Sequence, residues 1–167
     1  MSETLVKFHI PADFVIEYAK LYSDELKWGY FNGWIDRRDA IAIMLHALVN
    51  GVRLSEDEER LALLLSVEAA SVDDILEKIE FSSGEIESRR VWLYLALAWA
   101  FAHKDDFLDP FEVVECIYAD FQYPSEIDNI IRYMPPRVGE APGGIPGIEQ
   151  AWESYVREMK EFYLNRD

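Results

Sequence analysis

The chain has 167 residues, half of them apolar, and sets 16 Lys and Arg against 32 Asp and Glu, for a formal net charge of -16. This apolar content argues against disorder and suffices for one domain, 1–167, with a real core. The charge argues against nucleic-acid and anionic-membrane partners, which both need a basic footprint, and permits a basic protein partner. The single cysteine, Cys116, leaves no internal disulfide and fits a reducing compartment. The opening MSETLVKFHI lacks the basic stretch and long apolar run of a signal peptide, so a cytoplasmic protein is expected.

Residues 4–10 read as a strand-like arm. Pro11 suits the first turn of a helix that carries Phe14, Ile16, Tyr18 and Leu21. Ser23 caps a second helix, with Asp24 and Glu25 favourable in its first turn, Leu26, Trp28, Tyr30 and Phe31 along it, and Gly33 ending it. Asp36 caps a third, which runs to Asn50 before Gly51; Ile41, Met44, Leu45 and Leu48 form its buried stripe. Ser55 and Glu58 make a capping box for a helix reaching about Ala70, and Ser71 caps a short one from Val72 to Glu80.

Ser82 and Glu85 repeat the capping-box spacing ahead of a helix from Glu85 to His103. Its run Val91–Ala102 holds no charged residue, so it is apolar on every side. Such a helix belongs inside a protein or a membrane, and this run falls well short of the roughly 20 residues a span needs. It is therefore predicted to be the central buried helix. Asp109-Pro110 starts the next helix, whose apolar side holds Val113, Val114, Ile117 and Tyr118. Pro124 opens a short helix through Ile127, Ile130 and Ile131, stopped by Pro135-Pro136. The proline- and glycine-rich stretch 134–147 is loop, and the last helix runs from about Ile148 to Phe162 with Trp152, Tyr155 and Met159 inward. The expected fold is all-α, about eight helices with short connections.

Charge is uneven. Residues 105–128 hold eight acids, Asp105, Asp106, Asp109, Glu112, Glu115, Asp120, Glu126 and Asp128, and no Lys or Arg. Phe107, Phe111, Tyr118, Phe121 and Tyr123 interleave with them. Acids steer a basic partner and aromatics anchor it, although aromatics at helical spacing also serve as core. The string Asp105-Asp106-Phe107-Leu108-Asp109 has the D-D-x-x-D pattern of isoprenoid synthases, but Pro110 breaks the helix under it. Glu56 with Glu59, and Glu77 with Glu80, are paired acids at i, i+3. They resemble the magnesium site of all-α nucleotide pyrophosphohydrolases, and equally suit helix ends. His9, His46 and His103 show no zinc spacing, and Cys116 reads as a small buried hydrophobe. No nucleophile elbow, phosphate loop or dinucleotide fingerprint occurs, so no catalytic residue and no cofactor is expected.

Two segments carry a resemblance: Trp28-Gly29-Tyr30-x-x-Gly33-Trp34, and Ile117-Tyr118-Ala119-Asp120-Phe121-Gln122-Tyr123-Pro124 with Arg132-Tyr133-Met134-Pro135-Pro136. Together they resemble a family of small bacterial proteins of unknown function. Comparable small acidic proteins accompany polymorphic toxin genes as immunity proteins. Read physically, Gly29 inside a helix permits a close approach. Trp28 and Trp34, six apart, do not share a helix face, so one is expected in the core and the other at an interface. Asp120 at a helix end needs a cationic partner, for which Arg132 or Arg137 is the candidate. The expected function is an acidic protein-binding module, an immunity protein for a basic toxin domain, with Asp105, Asp106, Asp109, Trp28, Tyr30 and Trp34 as binding residues. The alternatives are the pyrophosphohydrolase, through Glu56, Glu59, Glu77 and Glu80, and a scaffold or oligomeric protein.

Overall fold

The computed structural model describes residues 9–64, 72–79, 85–132 and 144–166. The arm up to residue 8, the Ser71 and Ser82 caps, Glu80, Pro135-Pro136 and Arg137 lie outside them. The described residues are all-α, with eight α-helices and no strand: α1 Ala12–Tyr18, α2 Ser23–Phe31, α3 Arg37–Val49, α4 Glu56–Ala62, α5 Val72–Glu77, α6 Glu85–Ala102, α7 Pro110–Asp120 and α8 Gly144–Leu164. Two 3₁₀ turns, Lys104–Asp106 and Ser125–Ile130, flank α7. No described helix is long and apolar enough to cross a membrane. The residues form two compact units, one drawn from 9–92 and 163–166, the other from 93–132 and 144–162.

In the first unit α3 packs against α1, α2, α4 and α5. Its buried residues are Ala40, Ile43 and Met44; of the stripe expected from the sequence Met44 is buried, Ile41 and Leu48 are half-buried and Leu45 is exposed. Asp36 and Asp39 fix the helix start. Asp36 Oδ1 accepts from the Asp39 amide at 2.8 Å, and Asp39 Oδ2 accepts from the Asp36 amide at 3.1 Å. α1 likewise buries Ala12 and Val15 rather than the larger apolar series, and Pro11 sits at its cap. Ser23 is the first residue of α2 and not its cap, which is Tyr22; the Tyr22 amide donates to Glu25 Oε1 at 2.8 Å. α4 ends at Ala62, well before Ala70, and α5 ends at Glu77. Lys27 Nζ donates to the Ile79 carbonyl at 2.7 Å, a cation at the C-terminal end of α5.

Three helices end in the same hydrogen-bonded turn. In α2 the Gly33 amide reaches Tyr30 O and the Trp34 amide reaches Gly29 O. In α3 Gly51 reaches Leu48 O and Val52 reaches Ala47 O. Both glycines have positive φ, as this ending requires. α7 closes in the same way, from Gln122 to Ala119 O and Tyr123 to Tyr118 O, but without a glycine: φ is 63° at Gln122 and 58° at Tyr123. A left-handed residue with a Cβ costs about 1–2 kcal/mol. Gln122 is exposed. Gln122→Gly is therefore expected to raise stability by about 1 kcal/mol, even after the entropy glycine adds to the unfolded chain. A urea melt with a lowered midpoint would refute this.

α6 is buried on all sides from Val91 to Ala98. Beyond that it surfaces: Trp99 and Phe101 are half-buried and Ala102 is exposed. Its first turns belong to the first unit, where Trp92 Nε1 donates to the Glu25 carbonyl at 2.7 Å. A Cβ on Gly29 would lie 2.1 Å from Trp92 Cζ2, so the expected close approach is an indole laid on the α2 backbone. In the second unit Trp152 Nε1 of α8 donates to the Leu97 carbonyl at 3.0 Å, and its ring meets Phe101 edge-on. α8 begins a turn earlier than expected, at Gly144. Pro146 sits in its first turn, where an amide has no helical partner to lose. Val156 and Trp152 are its buried residues in this unit, while Tyr155 and Met159 are half-buried.

Candidate protein-binding surface

The acid-rich stretch lies in the second unit, where α6 turns into α7. Asp105 and Asp106 occupy the 3₁₀ turn and are exposed. Leu108 follows with its side chain fully in solvent. Asp109 caps α7, accepting from the Phe111 and Glu112 amides at 3.1 and 3.3 Å. Glu112, in the first turn, points outward. Within eight residues the chain thus presents three open carboxylates around one open apolar side chain. The D-D-x-x-D string is split between a 3₁₀ turn and a helix cap, so its carboxylates share no helix face.

The remaining acids are partly spent on structure. Arg132 grips Glu115 through two hydrogen bonds, 2.9 and 3.2 Å, and pairs with Asp109 at 3.1 Å. Arg132 thus ties α7 to the segment after it through Glu115 and Asp109; Arg137, the other cation expected for Asp120, lies outside the described residues. Asp109 is consequently half-buried and doubly committed, unlike Asp105 and Asp106. Asp128 accepts from Tyr118 Oη at 2.9 Å. Of the interleaved aromatics, Tyr118 and Phe121 are core, Phe107 and Phe111 are half-buried, and Tyr123 is 61% exposed. Cys116 is half-buried rather than buried; burial, then Glu112, Asp120 and Glu115, push its thiol up and keep it protonated.

The aromatic residues of the first motif lie in the other unit and point inward. Trp28 and Trp34 are 8% and 3% exposed, so both belong to the core of that unit. Trp34 lies past the Gly33 turn, where helical spacing no longer applies, so a separation of six residues does not set the two indoles on opposite faces. Tyr30 is half-buried; its hydroxyl donates to Asp73 and accepts from Arg37 Nε at 3.2 Å. The hydroxyl thus links α2, α3 and α5 and is not a free binding group.

Glu56 and Glu59 stand exposed on α4, and Glu77 stands exposed at the end of α5. Among the described residues these three are not gathered into a group that could hold a metal. His9, Asp36 and Asp39 are: one ligand atom from each lies within 4.8 Å of the others. Sequence spacing missed this group because His9 precedes α1. His103 is engaged with its own helix, Nδ1 lying 2.9 Å from Trp99 O. Sequence reasoning also missed the most buried charge pair among the described residues, Glu25 with Arg166 near the C-terminus. Glu25 read as a helix-start acid, and nothing local marks Arg166 as its partner.

Fold and surface together define an acidic all-helical protein in which Asp105, Asp106 and Glu112 stand open between the end of α6 and the first turn of α7. Over residues 12–160 the chain matches the family described as an uncharacterized protein conserved in bacteria (DUF2247), and it belongs to that family. No curated protein and no solved structure matches it.

Proposed function

We propose that this chain is a non-catalytic, acidic protein-binding module of the cytoplasm that neutralises a basic partner, as an immunity protein neutralises a toxin domain. The observation that carries the reading is the α6–α7 corner: Asp105, Asp106 and Glu112 are open to solvent and flank the exposed Leu108 in sequence, while Lys104 and Arg132, the neighbouring cations, are paired with Glu149 and Asp109. Long-range attraction from such a patch speeds encounter with a positive surface, and a central apolar side chain supplies an anchor. Toxins that cut nucleic acids carry positive clefts for phosphate, so a negative surface is suited to blocking them. The lone cysteine supports a reducing compartment.

The test begins with the neighbouring gene: a large multidomain toxin there supplies the partner to assay. Association should slow steeply as salt rises, because screening acts on the encounter. The combined change Asp105→Asn, Asp106→Asn and Glu112→Gln should slow association at low salt by about tenfold or more without lowering the melting temperature. Asp109 is left intact because it holds a helix start and Arg132. Association indifferent to both salt and the triple change would overturn the reading.

A further inference from the structure

The corner above leaves His9, Asp36 and Asp39 of the first unit without a role. Asp36 and Asp39 account for part of themselves, since their carboxylates and amides close the start of α3. His9 is not part of that arrangement. It comes from the segment ahead of α1, held there because the Ile10 amide donates to Trp34 O at 2.8 Å and the Ala12 amide donates to Asp39 Oδ1 at 3.1 Å. This brings one imidazole nitrogen and two carboxylate oxygens within 4.8 Å of one another, with His9 and Asp36 exposed and Asp39 half-buried. The helix end offers only about half a positive charge, so two carboxylates leave the cluster net negative.

We propose that His9, Asp36 and Asp39 form a binding site for a divalent transition cation of the zinc type, with solvent filling the remaining coordination. One imidazole nitrogen with two carboxylate oxygens suits zinc better than magnesium or calcium, which take oxygen alone. Bonds of about 2.0–2.2 Å put donors of a tetrahedral site about 3.4 Å apart. Rotation of the exposed His9 side chain closes the gap, while the two carboxylates keep their capping bonds and offer their remaining lone pairs. The ion would fasten the segment before α1 to the start of α3, and would stay accessible from solvent.

The experiment titrates metal-stripped full-length protein with zinc chloride, and separately with magnesium chloride, by calorimetry and thermal melting. The expected result is saturable zinc binding, a melting temperature raised beyond an ionic-strength control, and no comparable response to magnesium. His9→Ala should weaken zinc binding at least tenfold while melting like wild type without metal, since its exposed imidazole supports no hydrogen bond here. Asp36→Asn, which keeps a capping side chain, should also weaken zinc binding. Absence of saturable zinc binding overturns the proposal. So does zinc binding unchanged by His9→Ala, which would place the ion elsewhere, or a magnesium response equal to that of zinc.

Discussion

Arg166→Ala is expected to lower stability by about 3–5 kcal/mol, the usual effect of stranding a buried charge. Glu25 is 1% exposed, and Arg166 is its cation: Nη1 donates to Oε2 at 3.1 Å, and Nη2 donates to Oε1. Arg166 Nε also donates to the Lys20 carbonyl at 2.9 Å, and the guanidinium lies over the Tyr22 and Tyr163 rings at 4.0 and 4.9 Å. Among the described residues, removing this one side chain leaves the carboxylate with the Tyr22 amide, at 2.8 Å, as its donor. For a chain of this size the loss corresponds to a fall in melting temperature of roughly 6–20 °C. Adding Glu25→Gln to Arg166→Ala should recover part of it, because the stranded charge is then gone.

The pH dependence of this site has a definite sign. Burial pushes the Glu25 carboxyl up, against the opposing pull of Arg166 and the Tyr22 amide. Because the folded value is raised, the native state binds this proton more readily than the unfolded chain does. The contribution of the group to stability is therefore full below the unfolded glutamate value, near 4.3, and is lost as pH rises through the raised one. Without Arg166 the carboxyl rises further, so the deficit of Arg166→Ala should be smaller at mildly acidic pH than at pH 8. Urea melts at both pH values check this. A loss below about 1 kcal/mol at pH 8 would show that water reaches Glu25 and that the pair is an ordinary surface bridge.

The second large effect is expected at Gly29. Alanine at an ordinary helix position gains about 1 kcal/mol over glycine. Here its methyl would lie 2.1 Å from Cζ2 and 2.2 Å from Cε2 of Trp92, an indole with no solvent exposure. Moving that ring would break its 2.7 Å bond to the Glu25 carbonyl, directly beside the buried pair. Overpacking of this kind typically costs about 1–3 kcal/mol and occasionally more, and losing the indole hydrogen bond adds to it. Gly29→Ala should therefore destabilise by about 1–3 kcal/mol net of the propensity gain. Trp92→Leu should cost much less in the Gly29→Ala background than alone, since the shorter side chain removes the clash. A neutral or stabilised Gly29→Ala would mean that the indole is not seated on the α2 backbone.

Gly29 also marks how far sequence reasoning reaches. A glycine within a helical pattern announced a close approach, because helix propensity alone disfavours it, but not which ring would come 63 positions later in the chain. Helical class, the Asp36 and Asp109 caps, the Gly33 and Gly51 endings and the burial of Val91–Ala98 all follow from local rules. Those rules act over a few residues, through hydrogen bonds to neighbouring amides and through apolar periodicity, so a sequence carries them directly. Helix faces were less legible. Leu45 is exposed and Ile43 buried in α3, since a stripe read one residue off looks equally apolar.

What tertiary structure alone decided is which charges meet. Glu115 and Asp109 hold Arg132, Arg166 reaches back to Glu25, and His9 comes beside Asp36 and Asp39. With twice as many acids as bases, each cation had several possible carboxylates, and composition could not choose among them. Packing chose, by fixing which helix ends lie together. The same selection left Asp105, Asp106 and Glu112 facing water while Asp109 became structural, although all four sit within eight residues of sequence.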